Sequence, residues 1–181
     1  ERVYGKPLVY LDNAATSLRP QAVLDKWMEM SVAKNSNLHR AVHHTATLAT
    51  EEYESTRDAV KDFINARSRE EIVFTSGATM SLNLVASSFS EAFLQNGDRV
   101  IICESEHHSN IVPWQIACGK AASEIIVLPV DDDGYIDLDY LRGVIDDKTK
   151  ILCVAQVSNV LGIVNPIKEI AQICHERGCL L

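Results

Sequence analysis

The segment DRVIICESEHHSNIVPW (98–114) decides the fold class, because its apolar run predicts a buried strand and the residues after it predict a loop and a helix near 111–121. The same succession recurs along the chain. Apolar runs in EIVFTS (71–76), EIIVLPV (124–130) and KILCVAQV (150–157) predict further strands, with helix-length segments between them. This alternation is typical of an α/β fold, a three-layer αβα sandwich in which helices cover both faces of a mostly parallel sheet.

The remaining segments predict helices and two short extended stretches. LVYLD (8–12) predicts a strand or an extended arm, and CLL (179–181) predicts the opening of another strand, so we expect the chain to be cut short. We expect an arm and helix segment over 1–45 and an incomplete large α/β domain over 46–181. A helix is predicted to begin at Pro20, and two more are predicted from Thr45 to about Asn65 and from about Ala78 to Phe93. A fourth is predicted to follow Asp137, and a fifth to follow Asn165-Pro166 and to end at Gly178.

Composition excludes several classes of function. The chain has 181 residues, with 17 Lys and Arg against 25 Asp and Glu, a net charge of −8 that argues against a nucleic-acid partner. No apolar run approaches the roughly 20 residues of a membrane span, and ERVYGKPLVYLD (1–12) contains no apolar signal core, so we expect a soluble cytoplasmic protein. Five cysteines without C-x-x-C spacing predict reduced core thiols, not disulfides or a zinc ribbon.

Polar residues follow three of the predicted strands. Gly77 precedes a helix whose free N–H groups and dipole suit a phosphate, although a plain capped helix explains the same residues equally well. His107 and His108 follow the next strand, and Asn159 follows the strand at 150–157. Ligands of open α/β sheets bind outside the carboxyl ends of the strands, so these loops predict a binding crevice.

The histidines also allow a metal site. His39 and His43 are four residues apart and could share a helix face, and with His107 and His108 they would suggest a metal hydrolase. Adjacent histidines rarely both face one metal, and no cysteine lies at ligand spacing, so we predict no metal. Arg40 is better suited to a carboxylate or a phosphate.

Taken together, five segments resemble the class V branch of the fold-type I pyridoxal-phosphate enzymes. Within that branch they are most similar to SUF-type cysteine desulfurases, also described as selenocysteine lyases, and the resemblance implies the large domain of a PLP-dependent transferase. It runs in order through essentially the whole chain. The segments are YLDNAATS (10–17), LHRAVHHTA (38–46), FINARSREEIVFTSGATMSLNLVA (63–86), ESEHHSNIVPWQ (104–115) and VSNVLGIVNP (157–166).

The resemblance implies a role for particular residues. His107 would stack its ring on the pyridine face of pyridoxal 5′-phosphate (PLP) and could shuttle protons. Gly77, Ala78 and Thr79 would form the phosphate cup, with Ala78 at a position where many members carry Thr. Asn159 would lie near the substrate carboxylate or the cofactor's phenolic oxygen. Asn13, Ala14 and Ala15 would line the substrate pocket. His39 and Arg40 would approach the active site, either of their own subunit or of the partner in a homodimer.

The resemblance also implies a reaction. With PLP as electron sink, an enzyme thiolate would take sulfur from L-cysteine, leaving alanine and an enzyme persulfide, and an acceptor protein would receive the sulfur for iron–sulfur cluster assembly. The family's Schiff-base lysine, its pyridine-pairing aspartate and its persulfide-forming cysteine match no residue of this chain. We therefore expect the chain by itself to be inactive.

Two other interpretations stay open on the sequence. One is a different class V enzyme: an aminotransferase, a kynureninase-like lyase or a selenocysteine lyase. The other is a non-catalytic α/β module that holds a phosphorylated ligand. Neither charge nor spacing distinguishes L-cysteine from L-selenocysteine as the substrate.

Overall fold

The structure, a computed structural model, describes residues 1–40 and 42–181. The chain divides into two compact units, Glu1–Phe74 and Thr75–Leu181. The expected division into an arm and helix segment (1–45) and a large domain (46–181) stays a prediction. None of the helices in the described residues has both the length and the apolar composition needed to cross a bilayer.

The first unit is mainly helical. Its two short strands pair antiparallel, with Arg2 opposite Pro7. Residues 8–12 lie outside any strand, so of the two predicted alternatives, a strand and an extended arm, the strand is wrong. The elements are β1 (Arg2–Val3), β2 (Lys6–Pro7), α1 (Gln21–Ala33), α2 (His44–Phe63) and a 3₁₀ turn (Arg69–Glu71).

The second unit is built on a parallel three-stranded sheet in the order β4-β3-β5. Leu180 continues the sheet beyond β5, because its N–H donates to the carbonyl of Lys150 at 2.9 Å and its carbonyl accepts from Leu152 at 2.8 Å. The strand predicted to open at 179–181 is thereby confirmed. The elements are α3 (Ala78–Phe93), β3 (Arg99–Cys103), α4 (Val112–Ala121), β4 (Glu124–Leu128), α5 (Leu138–Val144), β5 (Thr149–Cys153) and α6 (Ile167–Glu176).

The central strand β3 is buried on both of its faces, and its side chains alternate between two hydrophobic clusters. Ile101 and Cys103 belong to the cluster that contains residues of α5 and α6. Val100 and Ile102 belong to the cluster that contains residues of α3 and α4. Helices therefore cover both faces of the sheet, and the predicted three-layer α/β architecture is confirmed.

The predicted strand at 71–76 is wrong. Residues Arg69–Glu71 form a 3₁₀ turn, and no strand of the described residues pairs with the segment that follows. The guanidinium of Arg57 holds the turn by donating to the carbonyls of Arg69 (2.6 Å) and Ile72 (3.3 Å). Ile72 has extended backbone angles, φ −95° and ψ 114°, but an apolar extended segment becomes a strand only when a neighbour satisfies its hydrogen bonds.

All five cysteines are free thiols in the core, as the sequence predicts. None of their residues is more than 6% exposed. Burial, followed by the nearby charge of Glu106, raises the pKa of the Cys153 thiol to about 12. A thiol in such surroundings stays protonated near neutral pH and is a poor nucleophile.

We therefore expect a thiol-specific disulfide reagent at pH 8 to modify none of the five cysteines rapidly in the folded chain. The same chain unfolded in concentrated guanidinium is the control, and all five thiols should react there. Rapid stoichiometric modification of even one thiol before unfolding would show that the core is more open than described.

Candidate functional site

The turn before α3 leaves a helix N-terminus open. Gly77 has φ +156° and ψ 174°, a backbone conformation essentially restricted to glycine. A Cβ built on Gly77 would have no neighbour within 4 Å, so it is the backbone angle and not crowding that requires glycine. The first N–H groups of a helix have no partner within that helix, and no side chain caps α3, an arrangement that suits an anion.

Two hydroxyl groups fix the shape of this turn. Those of Thr75 and Ser81 lie 2.7 Å apart, and each is within hydrogen-bond distance of the Gly77 carbonyl oxygen, at 3.1 and 3.4 Å. The hydroxyl of Thr79 is exposed and forms no hydrogen bond within residues 1–40 and 42–181. Of the hydroxyls at this turn, Thr79 is therefore the one available to a ligand.

His107 follows β3 and caps the 3₁₀ turn His108–Asn110. Its Nδ1 accepts from the N–H of Ser109 at 3.1 Å and lies 2.8 Å from the Ser109 hydroxyl. The His107 residue is exposed, so the face of its ring is open to a ligand. Helix α3 packs against the turn 108–110, which brings this loop beside the helix that Gly77 starts.

The loop of His107 is tied to the core by a chain of hydrogen bonds. Glu106 Oε2 accepts from the His107 N–H at 3.3 Å and from the Asn110 amide at 3.1 Å. Asn110 Oδ1 in turn accepts from the indole N–H of Trp114 at 3.2 Å. Trp114 is 2% exposed and packs edge-to-face on Phe89 of α3. Sequence reasoning missed Glu106 and Asn110, although an acidic residue directly before the histidine pair was a usable signal.

Asn159 lies in the loop that follows β5. Ser158 braces this loop, because its hydroxyl oxygen accepts from the N–H groups of Val160 (3.3 Å) and Leu161 (3.1 Å). The buried amide of Asn165 donates to the Ala155 carbonyl at 2.7 Å and closes the loop at its base. Asn159 itself is exposed and makes no hydrogen bond to the described part of the chain. Ser158 and Asn165 are structural residues that the sequence pattern did not distinguish from Asn159.

Two of the predicted loops meet at one edge of the sheet. Strands β3 and β5 are adjacent and parallel, so the loops of His107 and Asn159 leave the sheet at the same edge. The Gly77 turn is connected to this edge through the packing of α3 on residues 108–110. The sequence predicts that Gly77 follows a strand of the sheet, but no strand of the described residues leads directly into Gly77. The Gly77 turn is therefore not held at this edge by a strand of its own.

The other predicted site residues belong to the first unit. Asn13, Ala14 and Ala15 form an exposed turn, and the Ser17 hydroxyl donates to the Asn13 carbonyl at 3.3 Å. Arg40 is exposed and forms no hydrogen bond or ion pair with the described residues. Their place at a ligand site remains an expectation from the resemblance.

His39 is held by α2 but is not part of a helix. Its backbone is left-handed, with φ +53°, and its Nε2 lies 3.1 Å from Glu54 Oε1. His43 caps the start of α2 by accepting from the Ala46 N–H at 3.3 Å. The suggested shared helix face of His39 and His43 is therefore wrong. Within residues 1–40 and 42–181, no three potential ligands among His, Cys, Asp and Glu come together as a metal site.

The family model of class-V aminotransferases matches residues 9–181. The chain belongs to the class-V aminotransferase family. It is 46% identical to a probable cysteine desulfurase of Halalkalibacterium halodurans over 181 residues, which are 100% of this chain and 45% of that protein. The chain thus spans less than half the length of this curated relative.

Solved structures agree with this assignment. The apo cysteine desulfurase of Thermococcus onnurineus NA1 is 37% identical, with a TM-score of 0.88 over 94% of this chain and 42% of that one. SspA, solved in complex with cysteine, is 25% identical, with a TM-score of 0.82 over 92% of this chain and 47% of that one. The fold described above therefore matches part of the fold of solved cysteine desulfurases.

Gly134 supports the loop of Asn159 from the neighbouring turn. It has φ +88°, and a Cβ at this position would lie 2.8 Å from Leu161 Cδ1 and 2.9 Å from Ile163 Cδ1. Glycine is thus required by the backbone angle, and a Cβ would in addition force the ends of the Leu161 and Ile163 side chains to shift.

We expect Gly134→Ala to lower the free energy of unfolding by about 1–3 kcal/mol, because it combines a strained backbone with overpacking. The matched control is Gly119→Ala in α4, where a Cβ meets nothing within 4 Å and which should raise stability by roughly 0.5–1 kcal/mol. Urea denaturation of both variants measures the difference. Equal stability of the two variants would contradict the packing of Gly134 on the loop.

Proposed function

We propose that the complete protein is a PLP-dependent cysteine desulfurase that releases sulfur from L-cysteine and leaves alanine. The observation that carries this proposal is the 46% identity to a probable cysteine desulfurase across all 181 residues. The complex of the related SspA with cysteine supports cysteine as the substrate. Among the class V alternatives, the desulfurase reaction is therefore preferred over an aminotransferase or a kynureninase-like lyase.

The residues of the second unit fit the phosphate end of PLP. The N–H groups at the start of α3 and the Thr79 hydroxyl are donors that form no hydrogen bond to a side chain of residues 1–40 or 42–181, and they would hold the phosphate. Gly77 leaves the space in front of them open. α3 carries no acidic residue in its first turn, so no side chain there opposes an anion.

His107 and Asn159 fit the ring of the cofactor and the substrate. The exposed ring of His107 would lie against the pyridine ring, while its Nδ1 stays engaged by Ser109. Asn159, at the tip of a braced loop, would donate to a substrate carboxylate or to the cofactor's phenolic oxygen. When bound, PLP would take up the electron pair that stays on the substrate when its C–S bond breaks.

The sulfur-accepting thiolate would come from a part of the protein outside these 181 residues. All five cysteines of the chain are buried, and the raised pKa of Cys153 disfavours its thiolate. We propose the same for the lysine that binds PLP covalently, so the 181-residue chain should not turn over alone. Homodimerisation, transfer of sulfur to an acceptor protein for iron–sulfur clusters, and a cytoplasmic location complete the proposal.

The test is the release of alanine and sulfide from L-cysteine by the complete protein with PLP under reducing conditions. Equal amounts of the two products are expected. PLP absorbance without release would favour another class V reaction. Absence of both would favour a phosphate-binding module and contradict the proposal.

We expect His107→Ala in the complete protein to lower kcat by about 10²-fold or more, because it removes the ring and the hydrogen-bond donor that the ring carries. The thermal unfolding temperature should hardly change, since the side chain is exposed. His175→Ala, at the exposed end of α6, is the matched control and should keep full activity. Undiminished turnover by His107→Ala would remove His107 from the site.

We expect Gly77→Val to weaken PLP binding about tenfold or more, because a β-branched residue cannot readily adopt φ +156° and would displace the N–H groups that hold the phosphate. Titration of the complete protein with PLP, followed by absorbance, measures the affinity. An affinity equal to that of the unaltered protein would place the phosphate elsewhere.

A further inference from the structure

We propose that Ser109 is a positioning residue that holds His107 in the Nε2–H form, so that the ring serves the site as a flat hydrogen-bond donor and not as a base. This inference rests on the proposed function and adds the chemical role of one residue to it. It concerns a serine to which sequence reasoning assigned no role at the site.

The hydrogen bonds at Nδ1 determine where the ring carries its proton. The N–H of Ser109 lies 3.1 Å from Nδ1, and a backbone N–H can only donate. Nδ1 must therefore present its lone pair, and the Ser109 hydroxyl at 2.8 Å must donate to it as well. In a neutral imidazole one nitrogen carries the proton, so here it lies on Nε2.

Ser109 itself is fixed by the loop around it. The carbonyl of His107 accepts from the Asn110 N–H at 2.8 Å, which closes the turn over Ser109. Glu106 and the buried Trp114 hold Asn110 from two sides. Ser109, which carries both donors to Nδ1, is thus linked to the core through Asn110 and the buried Trp114.

The adjacent histidine lacks this arrangement. His108 meets the His107 ring edge-on, with ring centroids 6.4 Å apart, and its ring nitrogens form no hydrogen bond to residues 1–40 or 42–181. The two histidines are thereby distinguished by Ser109, which engages the first and not the second.

The consequence for chemistry concerns Nε2. With Nδ1 occupied by two donors, the neutral ring has no lone pair at Nε2 and cannot accept a proton there. It can donate a hydrogen bond from Nε2–H to an acceptor atom of the substrate or cofactor while the loop stays intact. To act as a base the ring would have to take the proton at Nδ1, which breaks its bond to the Ser109 N–H and reverses its bond to the Ser109 hydroxyl.

One test uses the 181-residue chain labelled with ¹⁵N-histidine. The His107 signals are identified by their loss in His107→Gln, and NMR shifts of the two ring nitrogens at a pH where the ring is neutral report the position of the proton. A single Nε2–H form is expected. An Nδ1–H form, or an equal mixture, would overturn the proposal whatever the activity of the complete protein.

A second test uses substitutions in the complete protein. The amide nitrogen of Gln can take the place of Nε2, whereas that of Asn corresponds to Nδ1, so His107→Gln should retain a kcat about tenfold above that of His107→Asn. Ser109→Pro removes both donors to Nδ1 and should lower kcat about tenfold with KM unchanged. Ser109→Ala, which keeps the backbone N–H, should lower kcat by no more than about threefold, and Ser109→Thr, which keeps both donors, should stay within about twofold. Gln and Asn variants that are both as inactive as His107→Ala would overturn the donor role.

The two proposals fail in different ways. If the complete protein released neither alanine nor sulfide, the desulfurase proposal would fall, and the NMR measurement would still decide the tautomer. If release were normal and Ser109→Pro were fully active, the positioning role would fall and the desulfurase proposal would stand.

Discussion

Burial of β3 on both faces is the constraint on which the second unit depends. Val100 and Ile102 face one cluster, and Ile101 and Cys103 face the other, so no polar side chain fits until the strand ends. The first polar residues after Cys103 must therefore lie at the carboxyl edge of the sheet. Because β5 runs parallel to β3 in the adjacent position, its own polar loop emerges at the same edge.

Around this edge the chain separates residues that hold loops from residues that are available to ligands. The Ser158 hydroxyl and Glu106 Oε2 accept from donors of their own loops, and the Asn165 amide donates to the Ala155 carbonyl. The Thr79 hydroxyl and the Asn159 side chain make no hydrogen bonds to the described residues, and each lies on a turn that other residues hold. Loops already held by their own hydrogen bonds need less ordering when a ligand binds, which lowers the entropic cost of binding.

The sequence predicts most of this architecture because burial on both faces leaves an unambiguous apolar run, as at 100–103 and 151–153. It fails at 71–76, where the same apolar pattern lacks a hydrogen-bonding neighbour in the described residues. It also fails for His39 and His43, since a spacing of four says nothing about where a helix starts. The role of Ser109 depends on the backbone geometry of a turn, which no residue pattern reports.

We propose that PLP is held through its phosphate at the start of α3, the helix that packs against the turn 108–110. The most direct measurement compares the affinity of the complete protein for PLP with its affinity for pyridoxal, which lacks the phosphate. The account predicts that pyridoxal binds at least about tenfold more weakly, since several charge-assisted hydrogen bonds are lost. Equal affinities for the two compounds would contradict it.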